Sequence, residues 1–262
     1  MSRAGRRLPW GYRLCIGALR PLLMALTERD WRGGENLPES GGFVATVNHL
    51  SYVDPLTFAH FMLDQGRPTF FLAKDSIFRI PVVGRVIAAA GQIPVYRESG
   101  RAADAFRAAV AAVEQGKCVG ILPEGTLTRD PGLWPMTGKT GAARVALSTR
   151  CPVIPVAQWG PERILPPYSY RLRLLPRRTS HVWAGPPVDL DDLYGKPLDG
   201  RTMREATDRI MAAITDLLEQ IRGEQSPPVR FDPRTAGVAS TGNPRRRGRA
   251  QPGNDTTKGE RR

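Results

Sequence analysis

The stretch Gly42-Phe43-Val44-Ala45-Thr46-Val47-Asn48-His49-Leu50-Ser51-Tyr52-Val53-Asp54-Pro55 passes from an apolar run through a polar turn to a proline. Residues 42–47 lack the alternation of a half-exposed strand and read as a short strand buried on both faces. Proline lacks an N–H and suits the first helical position, so Pro55 starts a helix and Asp54 becomes its N-cap. His49 and Asp54 are five positions apart, roughly 140° around a continuous helix, so they cannot face each other on one. His49 instead belongs to the loop before the helix. That loop can fold back so that the carboxylate meets an imidazole N–H. Sheets of the α/β type gather reactive groups at the carboxyl edge of their strands, which is where this loop emerges.

The same alternation continues outward. Residues 69–73, 92–96, 118–122 and 153–157 read as further strands, with 171–175 and 180–184 alternating like strands as well. Helical patterns occupy 55–63, 82–90, 101–115, 140–148 and the long closing segment 202–221, and Gly116 stops the third of these. Strand and helix in turn predict an α/β fold with a mostly parallel central sheet flanked by helices. No internal repeat is visible.

The chain has 262 residues, 41% hydrophobic and 24% charged, with a net charge of +13. Length and composition suit a globular body, and the charge points towards nucleic acid or an anionic membrane surface. Its placement decides between them. Residues 1–20 carry five arginines (Arg3, Arg6, Arg7, Arg13, Arg20) and no acid, and residues 223–262 carry nine Lys/Arg against four acids. Each end therefore holds +5, and 21–222 keeps only +3. A folded DNA reader more often concentrates its charge on one face of the fold.

Residues 8–26 are rich in Leu and aromatic side chains, but Arg13, Arg20 and Pro21 interrupt them, and the longest uncharged run is residues 21–27. A bilayer span needs about 20 mostly apolar residues. The broken run also argues against a signal peptide. An interfacial amphipathic helix fits better, with Trp and Leu in the headgroup region and Arg on lipid phosphate. The expected organisation is a membrane-associating segment over 1–35, a main folded domain over 36–222 and a disordered basic tail over 223–262, whose Pro-, Gly- and Arg-rich composition cannot bury a core. Cys15, Cys118 and Cys151 form no CxxC pair, so neither a disulfide framework nor a zinc site is expected, and a reducing compartment fits.

Two further strand ends bear chemistry. Pro123-Glu124-Gly125-Thr126 follows the strand at 118–122, and Gly125 and Thr126 can offer backbone N–H groups and a hydroxyl to an anion. Arg97 closes the strand at 92–96, and a guanidinium suits bidentate contact with phosphate. Lys74 and Lys139 are weaker cationic candidates. A base, an anion site and an arginine at three strand ends predict one pocket. His60 reads as helix surface and His181 as part of a strand, neither with a ligand-spaced partner, and no metal is expected. Gly132 to Thr140 imitates a phosphate loop, but five residues separate its glycines and no strand precedes it. No Gly-x-Ser-x-Gly elbow exists, so a serine hydrolase lacks its nucleophile.

Four blocks in order resemble the glycerolipid acyltransferases of the 1-acylglycerol-3-phosphate acyltransferase (lysophosphatidate acyltransferase) type. They are Asn48-His49 followed after four residues by Asp54; Gly91-Gln92-Ile93-Pro94-Val95-Tyr96-Arg97; Leu122-Pro123-Glu124-Gly125-Thr126; and Cys151-Pro152-Val153-Ile154-Pro155-Val156. The resemblance covers roughly residues 40–190. It implies that His49, oriented by Asp54, is the general base that activates a glycerol hydroxyl against an acyl thioester. It implies further that Arg97, Glu124, Gly125 and Thr126 bind the phosphorylated acceptor. No resident cofactor is implied, only acyl-CoA or acyl carrier protein as co-substrate. The enzyme would sit peripherally or monotopically on the cytoplasmic face of the cell membrane. One departure stands out: the family commonly has Arg after the Thr of the third block, whereas this chain has Leu127, with Arg129 two residues further on as the replacement charge. That departure keeps glycerol 3-phosphate or a glycolipid hydroxyl open as acceptor. The rival of another class is a basic nucleic-acid or anionic-surface binding protein.

Overall fold

The computed structural model describes residues 8–95 and 102–238. In chain order they form α1 (Trp10–Leu26), β1 (Thr27–Arg32), β2 (Phe43–Val47), α2 (Asp54–Asp64), β3 (Thr69–Lys74), α3 (Asp75–Phe78), α4 (Val83–Ala89) and β4 (Ile93–Val95). There follow α5 (Ala102–Glu114), β5 (Cys118–Ile121), α6 (Gly141–Thr149), β6 (Val153–Trp159), α7 (Pro161–Ile164), β7 (Arg178–Ala184) and α8 (Gly200–Arg222). The seven strands lie in the order β1-β7-β6-β2-β5-β3-β4. Strands β2 to β6 are mutually parallel, while β7 runs antiparallel to β6 and takes β1 with it. The expected α/β fold with a mostly parallel sheet is what is found.

Strand β2 sits at the centre, and all five of its residues are buried. Its pleat divides them. Val44 joins one apolar layer with α5, α6 and α8, in which Ala109, Val145, Ile210 and Ile214 are almost wholly enclosed. Phe43, Ala45 and Val47 join the opposite layer with Phe58, Phe61 and Met62 of α2. A strand that feeds two cores carries apolar residues on both faces, with Thr46 satisfying its hydroxyl on the Ile154 carbonyl, which is why residues 42–47 show no alternation.

Helix α8 closes the first layer. Asp199 caps it by accepting from the N–H groups of Arg201 (3.0 Å) and Thr202 (2.8 Å), and Gly223, at φ 64°, ends it with an N–H to the Glu219 carbonyl. Ala206, Ile210, Ile214 and Leu218 recur every four residues and form its buried stripe.

Four expectations change. The segment at 171–175 is no strand: it is an irregular excursion between α7 and β7. Strand β1 was not foreseen. Its sequence, Thr-Glu-Arg-Asp-Trp-Arg, is polar because an edge strand on the rim of a sheet buries little. The boundary expected at 35 consequently falls too late, since the sheet already begins at Thr27. At the other end, residues beyond 223 still touch the body: Ser226 N–H donates to Glu219, and Thr137 N–H donates to the Phe231 carbonyl at 2.9 Å. Residues 239–262 lie outside those described.

Helix α1 has two sides. Tyr12 is buried against Phe70, and its hydroxyl bridges the carbonyl and N–H of Thr69. Gly11 approaches α4 so closely that a Cβ there would lie 2.6 Å from the Ala89 carbonyl carbon. Trp10, Leu14, Leu22 and Met24 remain exposed on the outer side. Among the described residues no helix is long and apolar enough to cross a membrane.

Ile214 is fully enclosed on the inner face of α8, so Ile214→Ala removes a side chain the surroundings cannot replace. Denaturant unfolding should show a loss of about 2–5 kcal/mol at unchanged m-value.

Candidate active site

The loop from Asn48 to Val53 leaves β2 and turns back over the first residues of α2. Asp54 does not act as an N-cap, because its carboxylate points backwards. Its Oδ2 accepts from His49 Nδ1 at 3.0 Å, from the Ser51 N–H at 2.7 Å and from the Leu50 N–H. An N-cap carboxylate would instead have met the N–H groups of the residues two or three further on. The Asp54 side chain is fully buried, and that of His49 is 15% exposed, so the pair opens to solvent through the imidazole. Burial pushes the Asp54 carboxyl above its ordinary value, against the pull of its N–H donors. With Nδ1 engaged on Asp54, Nε2 is the nitrogen left to take a proton from an incoming group.

The loop is held along its length. Asn48 exchanges hydrogen bonds with the Gln158 backbone (Nδ2 to carbonyl, 3.0 Å; N–H to Oδ1, 2.8 Å), locking the end of β2 to that of β6. Gln158 turns its side chain to the Asn48 carbonyl and the Thr57 hydroxyl. Ser51 donates its hydroxyl to the Leu165 carbonyl. The His49 carbonyl accepts from the Thr128 N–H at 2.7 Å.

Glu124, expected as an acceptor ligand, is placed otherwise. It is 2% exposed, and its two oxygens accept the N–H groups of His49 (2.9 Å) and Met136 (3.1 Å). It is a strut between the loop at residues 48–53 and the loop following the third block. Burial raises its carboxyl to about 8. Glu162, on α7, is a second buried carboxyl, raised to about 7 by its own burial, with its Oε2 on the Gly160 N–H.

Gly125 does not offer its N–H to an anion in the way expected of a nest, since that N–H closes a turn onto the Leu122 carbonyl. The turn needs φ +69° there, and the end of the Lys139 side chain, its ammonium nitrogen included, lies across it. Thr126 is partly exposed at the same edge, within reach of the Tyr168 hydroxyl. Leu127 is buried at 2% exposure, and Arg129 is largely buried with its guanidinium carbon 5.4 Å from the Tyr168 ring centroid. Tyr168 in turn donates its hydroxyl to the Leu127 carbonyl at 2.7 Å. Lys74 is exposed at the end of β3, two strands from β2 on the same edge. Arg97 lies outside the described residues.

His60 proves to be buried, edge-on to Trp31, because β1 covers the side of α2 that would otherwise be surface. His181 lies on β7 as expected and meets Asp30 of β1 at 2.7 Å. Residues 132–140 form a loop around the buried Trp134, against which Arg222 stacks at 3.9 Å. Among the described residues no group of three or more His, Cys, Asp or Glu is placed to hold a metal ion. Sequence reasoning missed Gln158, Glu162 and Tyr168. A glutamine near the end of the apolar run 153–159 was the one signal available.

The arrangement can take a proton at His49 beside an edge bearing hydroxyl and cationic groups. A family model described as Acyltransferase matches residues 28–159. A chloroplastic 1-acyl-sn-glycerol-3-phosphate acyltransferase of Brassica napus is 35% identical over 139 residues, 52% of this chain and 39% of that protein. A 1-acyl-sn-glycerol-3-phosphate acyltransferase of Borreliella burgdorferi is 36% identical over 125 residues, 47% of this chain and 48% of that one. The matched region thus spans less than half the length of either relative. A namesake from Salmonella typhimurium is 30% identical over 184 residues, 69% of each chain. The crystal structure of the 1-acyl-sn-glycerophosphate acyltransferase PlsC from Thermotoga maritima superposes with a TM-score of 0.61 at 21% identity, over 82% of this chain and 81% of that one, and so shares the fold.

Glu124 and Glu162 make stability depend on pH in a defined direction. Their folded-state values lie above the ordinary 4.5, so each favours the folded state while protonated. That contribution is complete below the unfolded value and is lost as pH rises through about 7 for Glu162 and about 8 for Glu124. Unfolding free energy should therefore fall between about pH 5 and about pH 8. Glu124→Gln presents an NH₂ to one of the two N–H groups and should cost about 1–3 kcal/mol at the acidic end. The deficit should narrow towards the alkaline end, where only the native protein carries the buried charge.

Proposed function

The chain belongs to the Acyltransferase family, and on that premise we propose that it transfers an acyl group from a thioester to the free hydroxyl of lysophosphatidic acid, forming phosphatidic acid. The observation that carries the reading is the 3.0 Å bond between His49 Nδ1 and a fully buried Asp54 at the carboxyl edge of a parallel sheet.

The chemistry follows from that bond. The acceptor hydroxyl, whose own pKa is far above that of imidazole, loses its proton to His49 Nε2 as its oxygen attacks the thioester carbonyl. Asp54 holds the tautomer and stabilises the imidazolium. The tetrahedral intermediate collapses with cleavage of the C–S bond, and the imidazolium returns the proton to the departing thiolate. No acyl-enzyme is formed. A positioned base of this kind contributes about 10²–10⁴-fold, and the remainder comes from orientation and from donors to the developing oxyanion.

Arg97, Lys74 and Arg129 supply the charge that holds the acceptor phosphate, with Thr126 at the same edge. Holding the phosphate also disfavours water as the competing nucleophile. Glu124 acts behind His49 rather than on the acceptor. The donor is acyl-CoA or acyl carrier protein. The protein works at an anionic membrane surface on the cytoplasmic side, with the outer side of α1 as one contact. A second acceptor class, glycerol 3-phosphate or a glycolipid hydroxyl, is favoured by Leu127 standing where the family commonly has Arg.

Purified protein offered lysophosphatidic acid, glycerol 3-phosphate and a glycolipid, each with both donors, should yield phosphatidic acid by mass spectrometry, with release of free thiol. His49→Ala should reduce the rate by at least about 10²-fold. Asp54→Asn, which keeps an acceptor for part of the loop, should reduce it less. A His49→Ala protein working at the native rate would sink the mechanism. Nucleic-acid binding that persists in His49→Ala, alongside no acyl transfer by the native chain, would favour the non-enzymatic rival.

A further inference from the structure

Between α7 and β7 the chain leaves the body in an excursion over residues 165–177 whose ends are fixed and whose tip is apolar. At its base the Arg173 N–H donates to the Ile164 carbonyl at 2.8 Å. At its far end Arg177 donates to the carbonyls of Met24 (3.1 Å) and Thr27 (2.9 Å), tying the excursion to the last turn of α1. On the inner side Tyr170 stacks on Tyr52 of the catalytic loop, with ring centroids 6.0 Å apart and planes 9° from parallel.

Between these anchors the side chains face solvent. Leu175 is 80% exposed, Tyr170 73%, Leu172 59% and Leu174 38%. A single exposed leucine is ordinary, but four large apolar groups within six residues form a patch. Arg171 and Arg173 alternate with them, and from Arg163 to Val188 the sequence has five arginines and no acid. Apolar groups spaced by cations, in a stretch of sequence without an acid, match one surface: an anionic leaflet, where leucine enters the interface and guanidinium meets phosphate. A nucleic acid would satisfy the arginines but leave the leucines in water.

We infer that residues 170–175 are a lipid-contacting element, distinct from α1, that seats the membrane beside the His49–Asp54 pair. The placement rests on the acyl-transfer reading for its purpose but not for its physics. Met24, 40% exposed, gives its carbonyl to the Arg177 anchor, so the excursion is tied to the end of α1 that carries an exposed apolar side chain. Tyr52 lies three residues from His49 and joins the tip to the catalytic loop.

The test measures sedimentation of the full chain with vesicles of phosphatidylcholine alone and of phosphatidylcholine with phosphatidylglycerol. The triple variant Leu172→Ser, Leu174→Ser, Leu175→Ser should bind both at least about tenfold less, since exposed leucines contribute nothing to the folded core. The double variant Arg171→Gln, Arg173→Gln should lose about 30-fold on anionic vesicles only, with a flatter salt dependence, at about 1 kcal/mol per arginine. Circular dichroism and melting should match the native protein in both. Unchanged vesicle binding in both variants overturns the proposal. So does absence of vesicle binding by the native chain. Native vesicle binding together with loss of transfer to a monomeric short-chain acceptor in both variants, their vesicle binding unaltered, would place the excursion in the acceptor pocket instead, and also overturns it. Vesicle binding that falls as expected in a protein that transfers no acyl group would leave the lipid contact standing and remove the enzymatic reading.

Discussion

The site depends on one interaction: a carboxylate, Asp54, buried completely and answered by three N–H donors from the five residues before it. An unpartnered buried carboxylate would be neutralised or expelled. Here the donors converge only because residues 48–53 turn back over the start of α2, and that turn survives only if its entrance is fixed. Asn48 fixes it, by pairing with the Gln158 backbone on the neighbouring strand. The position of β2 between β5 and β6 is thus a condition of the histidine's orientation as well as of the core.

A second carboxyl shares the space. Glu124 takes the His49 N–H, so one residue is held at its backbone by Glu124 and at its ring by Asp54. Two carboxylates this close oppose each other's ionisation, and burial lifts both. The raised value of Glu124 is therefore consistent with its place: a neutral Glu124 still accepts N–H groups and leaves the charge to Asp54, where it can stabilise an imidazolium. Side chains that bring cations to the edge stand apart from this pair. Leu127 is spent in the interior, and Arg129 delivers its charge two residues later beside Tyr168.

Much of this was legible because it follows from local rules. An apolar run of six residues without alternation, closed by a polar turn, fits a doubly covered strand, and β2 is one. His49 and Asp54 could be paired because their spacing forbids one helix and Pro55 marks where the helix begins. The same reasoning misjudged Asp54 as a cap, because the identity of the donors a carboxylate selects is settled by loop closure, which spacing does not encode. Glu124 looked like a ligand because a Glu-Gly-Thr turn at a strand end has no visible partner in sequence; its partners, His49 and Met136, are 75 and 12 residues away. Strand β1 was hidden for the opposite reason. At a sheet edge, backbone pairing with β7 suffices and the side chains can stay polar. His60 then became buried through a strand that composition could not reveal.

The distribution of charge acquires a structural reason from the same geometry. Three buried carboxyls, Asp54, Glu124 and Glu162, lie after the carboxyl ends of β2, β5 and β6, and burial raises all three. Exposed cations stand further out, at Lys74 and in the arginine-spaced excursion after α7, while Arg129 is largely buried beside Tyr168. Within the interior the acids remain governed by burial, and the imidazole of His49 is the group through which the buried network meets solvent. On the proposed reading, the groups that would hold a phosphorylated acceptor are separated in space from the buried network behind His49, whose low dielectric strengthens the His49–Asp54 bond.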